Sequence, residues 1–314
     1  PMTDTNQNPS QGQPVAKEVD DFTKLLRKEI KPKSKAAEDA VSVAVTTLAQ
    51  EALKHTKVVS ADSLKTIDSI IAAIDKKLTE QINHILHHAD FQQLEGAWRG
   101  LHHLVNNTET DAMLKIRVMN VSKKDLGKTL KKFKGTNWDQ SPIFKKVYEA
   151  EYGQLGGQPF GCIVGDYHFD HTAPDVEMLG EIAQIASACH APFIAGASPL
   201  TMQMDSWQEL SNPRDLTKIF QTAEYAPWRS LRESEDARYI GLTMPRFLAR
   251  LPYGAKTNPV EEFHFEEDTA GANHDRFTWA NSAYAMAVNI NRAFKTYGWC
   301  TRIRGIESGG AVEG

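Results

Sequence analysis

Cysteine is scarce in this chain: 314 residues carry three, Cys162, Cys189 and Cys300, far apart and outside any CxxC spacing. An odd, scattered set frames neither a small secreted disulfide scaffold nor a four-ligand structural zinc site, and it suits a reducing cytoplasm. An excess of positive charge is also missing. Lys and Arg number 36 against 40 Asp and Glu, a formal net charge of −4, so the electrostatic footprint of a nucleic-acid binder is absent. Apolar runs are short as well. None reaches the ~18 residues a bilayer-spanning helix needs, and the N-terminus lacks a basic-then-apolar leader pattern. What is there, 41% hydrophobic and 24% charged residues, is the composition of a globular intracellular protein with enough chain for one or two domains.

The ends differ from the middle. Pro1 stands before Met2, the mark of a cleavage scar, and the stretch to Gln13 is Asn, Gln, Thr, Ser, Pro and Gly with nothing to bury, so it is expected to be disordered. The last residues, from Gly305 to Gly314, form a Gly-rich stretch that closes no helix or strand, which reads as a truncation.

Helical spacing dominates the first hundred residues. Phe22, Leu25, Leu26 and Ile30 make one apolar stripe of a short helix that Lys31-Pro32 ends, and Ser34 is placed to cap the next. That next helix carries small residues from Ala37 to Leu53, including Leu48, which invites close approach of a partner helix. A third starts near Ser63, with Leu64, Ile67, Ile71, Ile74, Leu78, Ile82 and Ile85 in near-heptad steps. Asp90 opens a fourth, through Leu94, Trp98, Leu101 and Leu104. After Asn107 the period changes. Met113–Met119 alternates as a strand, a helix follows Ser122, and short apolar runs at Phe160–Gly165, Pro192–Gly196 and Tyr239–Met244 read as buried strands. Helices are expected at Pro174–Ala188 and Asn273–Tyr297. The fold class is therefore α/β (α+β): a helical N-terminal arm, then a mixed, mainly parallel sheet flanked by helices.

Chemical motifs are thin. Gly127-Lys128-Thr129 copies the end of a phosphate loop, but Ser122 stands where the leading glycine belongs. Ser198 follows a strand as a nucleophile elbow would, but Pro199 and Leu200 forbid that tight turn. Asp166, His168, Asp170 and His171 sit beside the Ile163-Val164 strand, where α/β enzymes keep acids, bases and metal ligands; the same residue types also make ordinary turns and caps. A metal-dependent or hydrolase-like enzyme using these four is the rival reading. His84, His87, His88, His102 and His103 read as solvated histidines near a helix turn. A basic block (Lys123, Lys124, Lys128, Lys131, Lys132, Lys134, Lys145, Lys146) and an acidic one (Glu261, Glu262, Glu266, Glu267, Asp268) suit solvated faces or head-to-tail contacts between copies.

Phe160-Gly-Cys-Ile-Val-Gly-Asp-Tyr-His-Phe-Asp-His171 and Ala191-Pro-Phe-Ile-Ala-Gly-Ala-Ser-Pro199 closely resemble the large-subunit family of the bacterial type VI secretion contractile sheath. The likeness continues through Arg238–Gly254 and Trp299–Gly305 and runs from about Phe22 to the last residue. It implies a non-enzymatic building block with no cofactor. Such a subunit pairs with a small sheath subunit, stacks with further copies in helical rings around an inner tube protein, and contracts to drive the tube outward. It also implies a cytoplasmic protein docked to a membrane-anchored baseplate and recycled by an AAA+ unfoldase, with no nucleic acid and no membrane insertion. The division that follows is a tail over 1–16, a helical partner arm over 17–56, and a sheath body over 57–314 that is incomplete at its C-terminal end. Phe22, Leu25, Leu26 and Ile30 are the expected unfoldase-binding residues. Leu48, Leu53, Leu64, Ile67, Ile71 and Ile74 are the expected small-subunit packing residues.

Overall fold

The computed structural model describes residues 34–54, 63–212, 215–261 and 263–305, arranged as two compact units. The expectation of disorder over 1–16 and the Phe22–Ile30 stripe lie outside the described residues.

One unit holds residues up to His88 together with Pro252–Thr269. Helix α1 (Lys35–Lys54) begins where expected, with the Ser34 hydroxyl accepting from Ala37 N at 3.2 Å. It packs along α2 (Ser63–Leu86). The buried line of α2 differs from the near-heptad reading. Ile70 and Leu86 are buried, whereas Ile71 and Ile85 are 43% and 48% exposed. The covered residues 70, 74, 78, 82 and 86 lie along one ridge of side chains four apart, which winds around the helix instead of holding a heptad seam. The end of α2 is pinned by the 252–269 segment. Asn83 donates to the Glu266 carbonyl and accepts from Asp268 N (3.1 and 2.8 Å), and buried Glu267 accepts from Tyr253 N at 2.9 Å and faces His87 at 3.4 Å. Two carboxylates of the expected acidic block, those of Glu267 and Glu266, thus bond within this unit, the latter accepting from Ala255 N at 3.0 Å.

The other unit holds Ala89–Leu251 and the residues from Ala270 onward. Its centre is a parallel sheet in the order β1 (Ile163–Phe169), β2 (Phe193–Ala197), β3 (Ile240–Thr243). All five residues of β2 are buried, as a strand covered on both faces must be. Helix α5, so numbered after α3 (Ala89–Asn106) and α4 (Lys123–Lys132), spans Ala173–Cys189 and covers one face. Phe169 and Phe193 from the sheet meet Leu179, Ile182 and Ile185 from α5, and Leu126 and Leu130 from α4 close the edge. Each such side chain contributes on the order of 1.5–3 kcal/mol by leaving water. The opposite face carries α6 (Ser282–Tyr297), whose Tyr284, Ala287 and Val288 pack with Leu104 of α3. Close approach of α3 depends on Gly96: a Cβ there would lie 2.3 Å from the Trp279 carbonyl oxygen. Among the described residues no helix is long and apolar enough to cross a membrane.

Three boundaries depart from expectation. The closing helix starts at Ser282, not Asn273, because Asn273 and Asn281 each cap through their side chains, with a 3-10 turn (His274–Arg276) and β5 (Trp279–Ala280) between them. Strand β5 pairs antiparallel with β4 (Phe247–Leu248). The first sheet strand runs three residues later than the apolar run suggested, so Asp166, Tyr167 and His168 lie inside β1, where a register shift interrupts the ladder between Gly165 and His168. Met113–Met119 joins no ladder.

Candidate functional site

Asp166 and His168, two residues apart within β1, share the α6 face of the sheet, whereas Asp170 and His171 lie past the end of the strand. Asp166 accepts from the Tyr284 hydroxyl at 3.1 Å on the α6 side. Burial holds its carboxyl above the usual carboxylate value, which bonds from Tyr284 and Asn281 only partly offset. The ring of His168 crowds Gly196 of β2 beside Asn281; a Cβ on Gly196 would lie 2.8 Å from each. His168 Nε2 is buried without a hydrogen-bond partner. Burial, with Arg246 and Lys123 nearby, lowers its pKa to about 4, so the ring is neutral near pH 7. Among the described residues its Nε2 meets no carboxylate.

Asp170 is a turn residue. Its Oδ1 accepts from Thr172 N at 2.8 Å, and its own N–H donates to Asp175 at the start of α5. Asp175 also holds Lys123 at 2.8 Å, while the Lys123 ammonium donates to the His168 carbonyl and sits 4.6 Å from the centre of the Phe169 ring. His171 is 3% exposed and locks two loops. Its Nδ1 donates to the Leu200 carbonyl at 3.0 Å, its Nε2 faces Glu224 Oε1 at 2.6 Å, and its ring stacks on Tyr225 at 4.1 Å. Tyr225 is fully buried and donates to the Thr201 carbonyl; burial, with Glu224 and Asp170 nearby, raises its pKa to about 12. Asp166, Asp170 and His171 therefore go into separate structural bonds, while the His168 ring packs beside Gly196 with its Nε2 unpartnered. They do not converge on a shared point.

The remaining motifs resolve the same way. Ser198 caps a 3-10 turn through Leu200 N at 3.3 Å. Gly127 lies mid-helix in α4 against Met178, not in a strand-to-helix loop. His102 and His103 pair with Asn106 and Asn107 one turn on, and His103 packs on Phe247. Among the described residues no group of three or more His, Cys, Asp or Glu is placed to hold a metal ion. Of the small-subunit residues, Leu48 and Leu53 lie on α1 and Leu64 and Ile67 on α2, their side chains outside the described set; Ile74 is half-buried and Ile71 exposed.

Two features escaped the sequence reading. Glu95 of α3 is bonded by Arg250 (2.6 Å), Arg99 (2.8 Å) and the Thr278 hydroxyl (3.2 Å) in a nearly buried cluster. Burial pushes the Glu95 carboxyl up, but the two arginines together outweigh it and hold it below its ordinary value. Glu224 and Tyr225 complete the His171 lock from more than fifty residues away. No local pattern announces either.

Two comparisons with known proteins bear on these findings. A family model described as EvpB/VC_A0108, tail sheath N-terminal domain (VipB), matches residues 68–314. The chain is also 69% identical over 310 residues to the type VI secretion system sheath protein TssC1 of Pseudomonas aeruginosa PAO1. That alignment covers 99% of this chain and 62% of the relative, so the chain spans less than two thirds of the relative's length.

Proposed function

Since the chain belongs to the VipB tail-sheath family, we propose that it is the large subunit of a contractile type VI secretion sheath and works as a building block without enzymatic activity. The observation that carries this reading is the 69% identity, over nearly the whole chain, to a sheath protein. The separate structural engagement of Asp166, Asp170 and His171 supports the non-enzymatic part. In this reading the subunit pairs with a small sheath subunit and stacks with further copies around an inner tube. The sheath stands in the cytoplasm on a membrane-anchored baseplate, and contraction drives the tube outward.

The helical unit is the proposed partner surface. Ile71 is exposed in the isolated chain although it sits on the apolar side of α2, which fits a residue waiting for another subunit. Coexpression with a small sheath subunit, followed by affinity co-purification and electron microscopy for tubules, tests the reading. We expect Ile71→Asp to keep the chain folded and to lose the complex; normal co-purification of Ile67→Asp/Ile71→Asp would remove α2 as the contact. The stripe of Phe22, Leu25, Leu26 and Ile30 is the proposed AAA+ unfoldase element. A peptide from Val19 to Ser34 should bind the unfoldase, and a Leu25→Asp/Leu26→Asp peptide should not.

A further inference from the structure

Met113–Met119 has the sequence alternation of a strand but joins no ladder among the described residues. The backbone bonds of the segment can be followed one by one. At one end Met113 N and Leu114 N donate to Asp111 Oδ1 (2.7 and 2.9 Å), and the Leu114 carbonyl accepts from Asp111 N at 3.0 Å. At the other end the Val121 carbonyl accepts from the Tyr167 hydroxyl at 2.7 Å. Between those anchors, Lys115 to Asn120 make no backbone hydrogen bond to the described residues.

The segment is nevertheless held in place by its side chains. Lys115 donates to Gln158 at 3.0 Å, and Arg117 pairs with Glu151 and lies 5.4 Å from the centre of the Phe160 ring. Ile116 turns the other way into the cluster of Leu104, Tyr284 and Val164. A strand fixed on both faces leaves its edges open, and here the apolar side chains are open too: Met113 is 78%, Val118 67% and Met119 50% exposed. A shallow groove of about 400 Å³ between Val105, Asp111, Ile116 and Val118 runs beside it. The sheet has an unladdered margin as well, because β1 pairs only with β2. Natural edge strands are usually blunted by lysine, proline, a bulge or a covering element, whereas Val118 and Met119 are bare and apolar.

We propose that Lys115–Asn120 is completed as a sheet strand by an extended segment of the same sheath polypeptide, from the more than one third of the relative's length that lies outside this sequence. The length of that remainder supplies the candidate strand, and the small size of the site argues for its delivery within one molecule. Six residues with two exposed apolar side chains, Val118 and Met119, fall well short of the roughly 1,000 Å² that a stable association between separate proteins needs, whereas a tethered strand faces a high effective concentration. The inference rests on sheath-family membership for that length alone.

Hydrogen exchange followed by mass spectrometry tests it in three proteins: this 314-residue chain, TssC1 itself, and TssC1 with its matched region replaced by this sequence. Peptides spanning 115–120 should exchange at near-unprotected rates in the short chain and at least ~100-fold more slowly in both long proteins. That protection should not change on dilution. Val118→Asp should leave the thermal midpoint of the short chain unmoved and cost the hybrid at least ~10-fold of its protection. Fast exchange in the long proteins, protection already present in the short chain, or protection insensitive to Val118→Asp would each overturn the proposal. Protection that fades on dilution would overturn it in favour of a second copy. Because the readout needs no tubules, a protein that protects 115–120 without assembling counts against the proposed function and leaves this inference standing.

Discussion

On the α5 face of the parallel sheet the contacts are aliphatic and aromatic, with Phe169, Leu179 and Ala186 wholly inaccessible. On the α6 face they are mixed: small alanines and valines alternate with Asp166, His168, Asn281 and Tyr284, and behind them α3 carries the Glu95–Arg250 pair. The first face is held by non-directional burial and tolerates change in proportion to volume. The second is held by directional bonds that fail as units, because each buried polar group left alone costs more than its bond contributed. The contrast can be broken experimentally.

The largest effect is expected at Glu95. Its removal takes a carboxylate from 2.6 Å beside Arg250, whose side chain is 5% exposed. Glu95→Ala should cost about 3–5 kcal/mol in chemical denaturation. A loss below ~1 kcal/mol would mean that water reaches the guanidinium and that this face is less dry than drawn. On the apolar face, Leu179→Ala should cost about 3 kcal/mol with an unchanged denaturant slope, the signature of a cavity in an otherwise intact core. If Leu179→Ala proved the costlier of the two, the ranking of the faces would reverse.

Legibility in the sequence follows the same division. The α5 face could be read directly: the apolar runs located all three parallel strands within four residues, and the spacing predicts α5 at Pro174–Ala188 against Ala173–Cys189 observed. Periodicity reports a local face, and that face is local. The polar face could not be read, because Glu95 meets Arg250 at a separation of 155 residues and His171 meets Glu224 at 53. The four-residue Asp/His motif was visible but its geometry was not, since a three-residue shift of β1 decides which way Asp166 and His168 point. The heptad template overreached at Ile71 and Ile85 for a related reason: pattern names the apolar residues of a helix, and only packing chooses which of them are covered.

A smaller effect is expected from acid. His168 is neutral and surrounded by Arg246 and Lys123, with Asp166 on the same strand, so its pKa of about 4 lies below the ordinary 6.5. Between those values the unfolded chain binds more protons than the folded one, and stability falls as pH drops through the window. The full loss is on the order of 3 kcal/mol by pH 4. His168→Gln should flatten the dependence of the unfolding midpoint on pH between 6.5 and 4. An unchanged slope would place the acid sensitivity elsewhere.

The smallest effect, and the one that separates the faces most finely, is at Asp166. Burial raises its carboxyl above the ordinary value, so the folded chain binds the extra proton and the contribution to stability declines as pH rises past that of a free carboxylate. Its ionised form at neutral pH is thus a buried charge opposed by desolvation, the reverse of Glu95, whose arginines outweigh burial. Asn in its place keeps an oxygen to accept from the Tyr284 hydroxyl and removes the charge. Asp166→Asn should therefore match or exceed the parent at pH 7, by up to about 1 kcal/mol, and should steepen the loss of stability between pH 6.5 and 4 because the opposing contribution is gone. A deficit of more than ~2 kcal/mol at pH 7 would show that the negative charge itself is needed beside His168, and the α6 face would then have to be read as an electrostatic device.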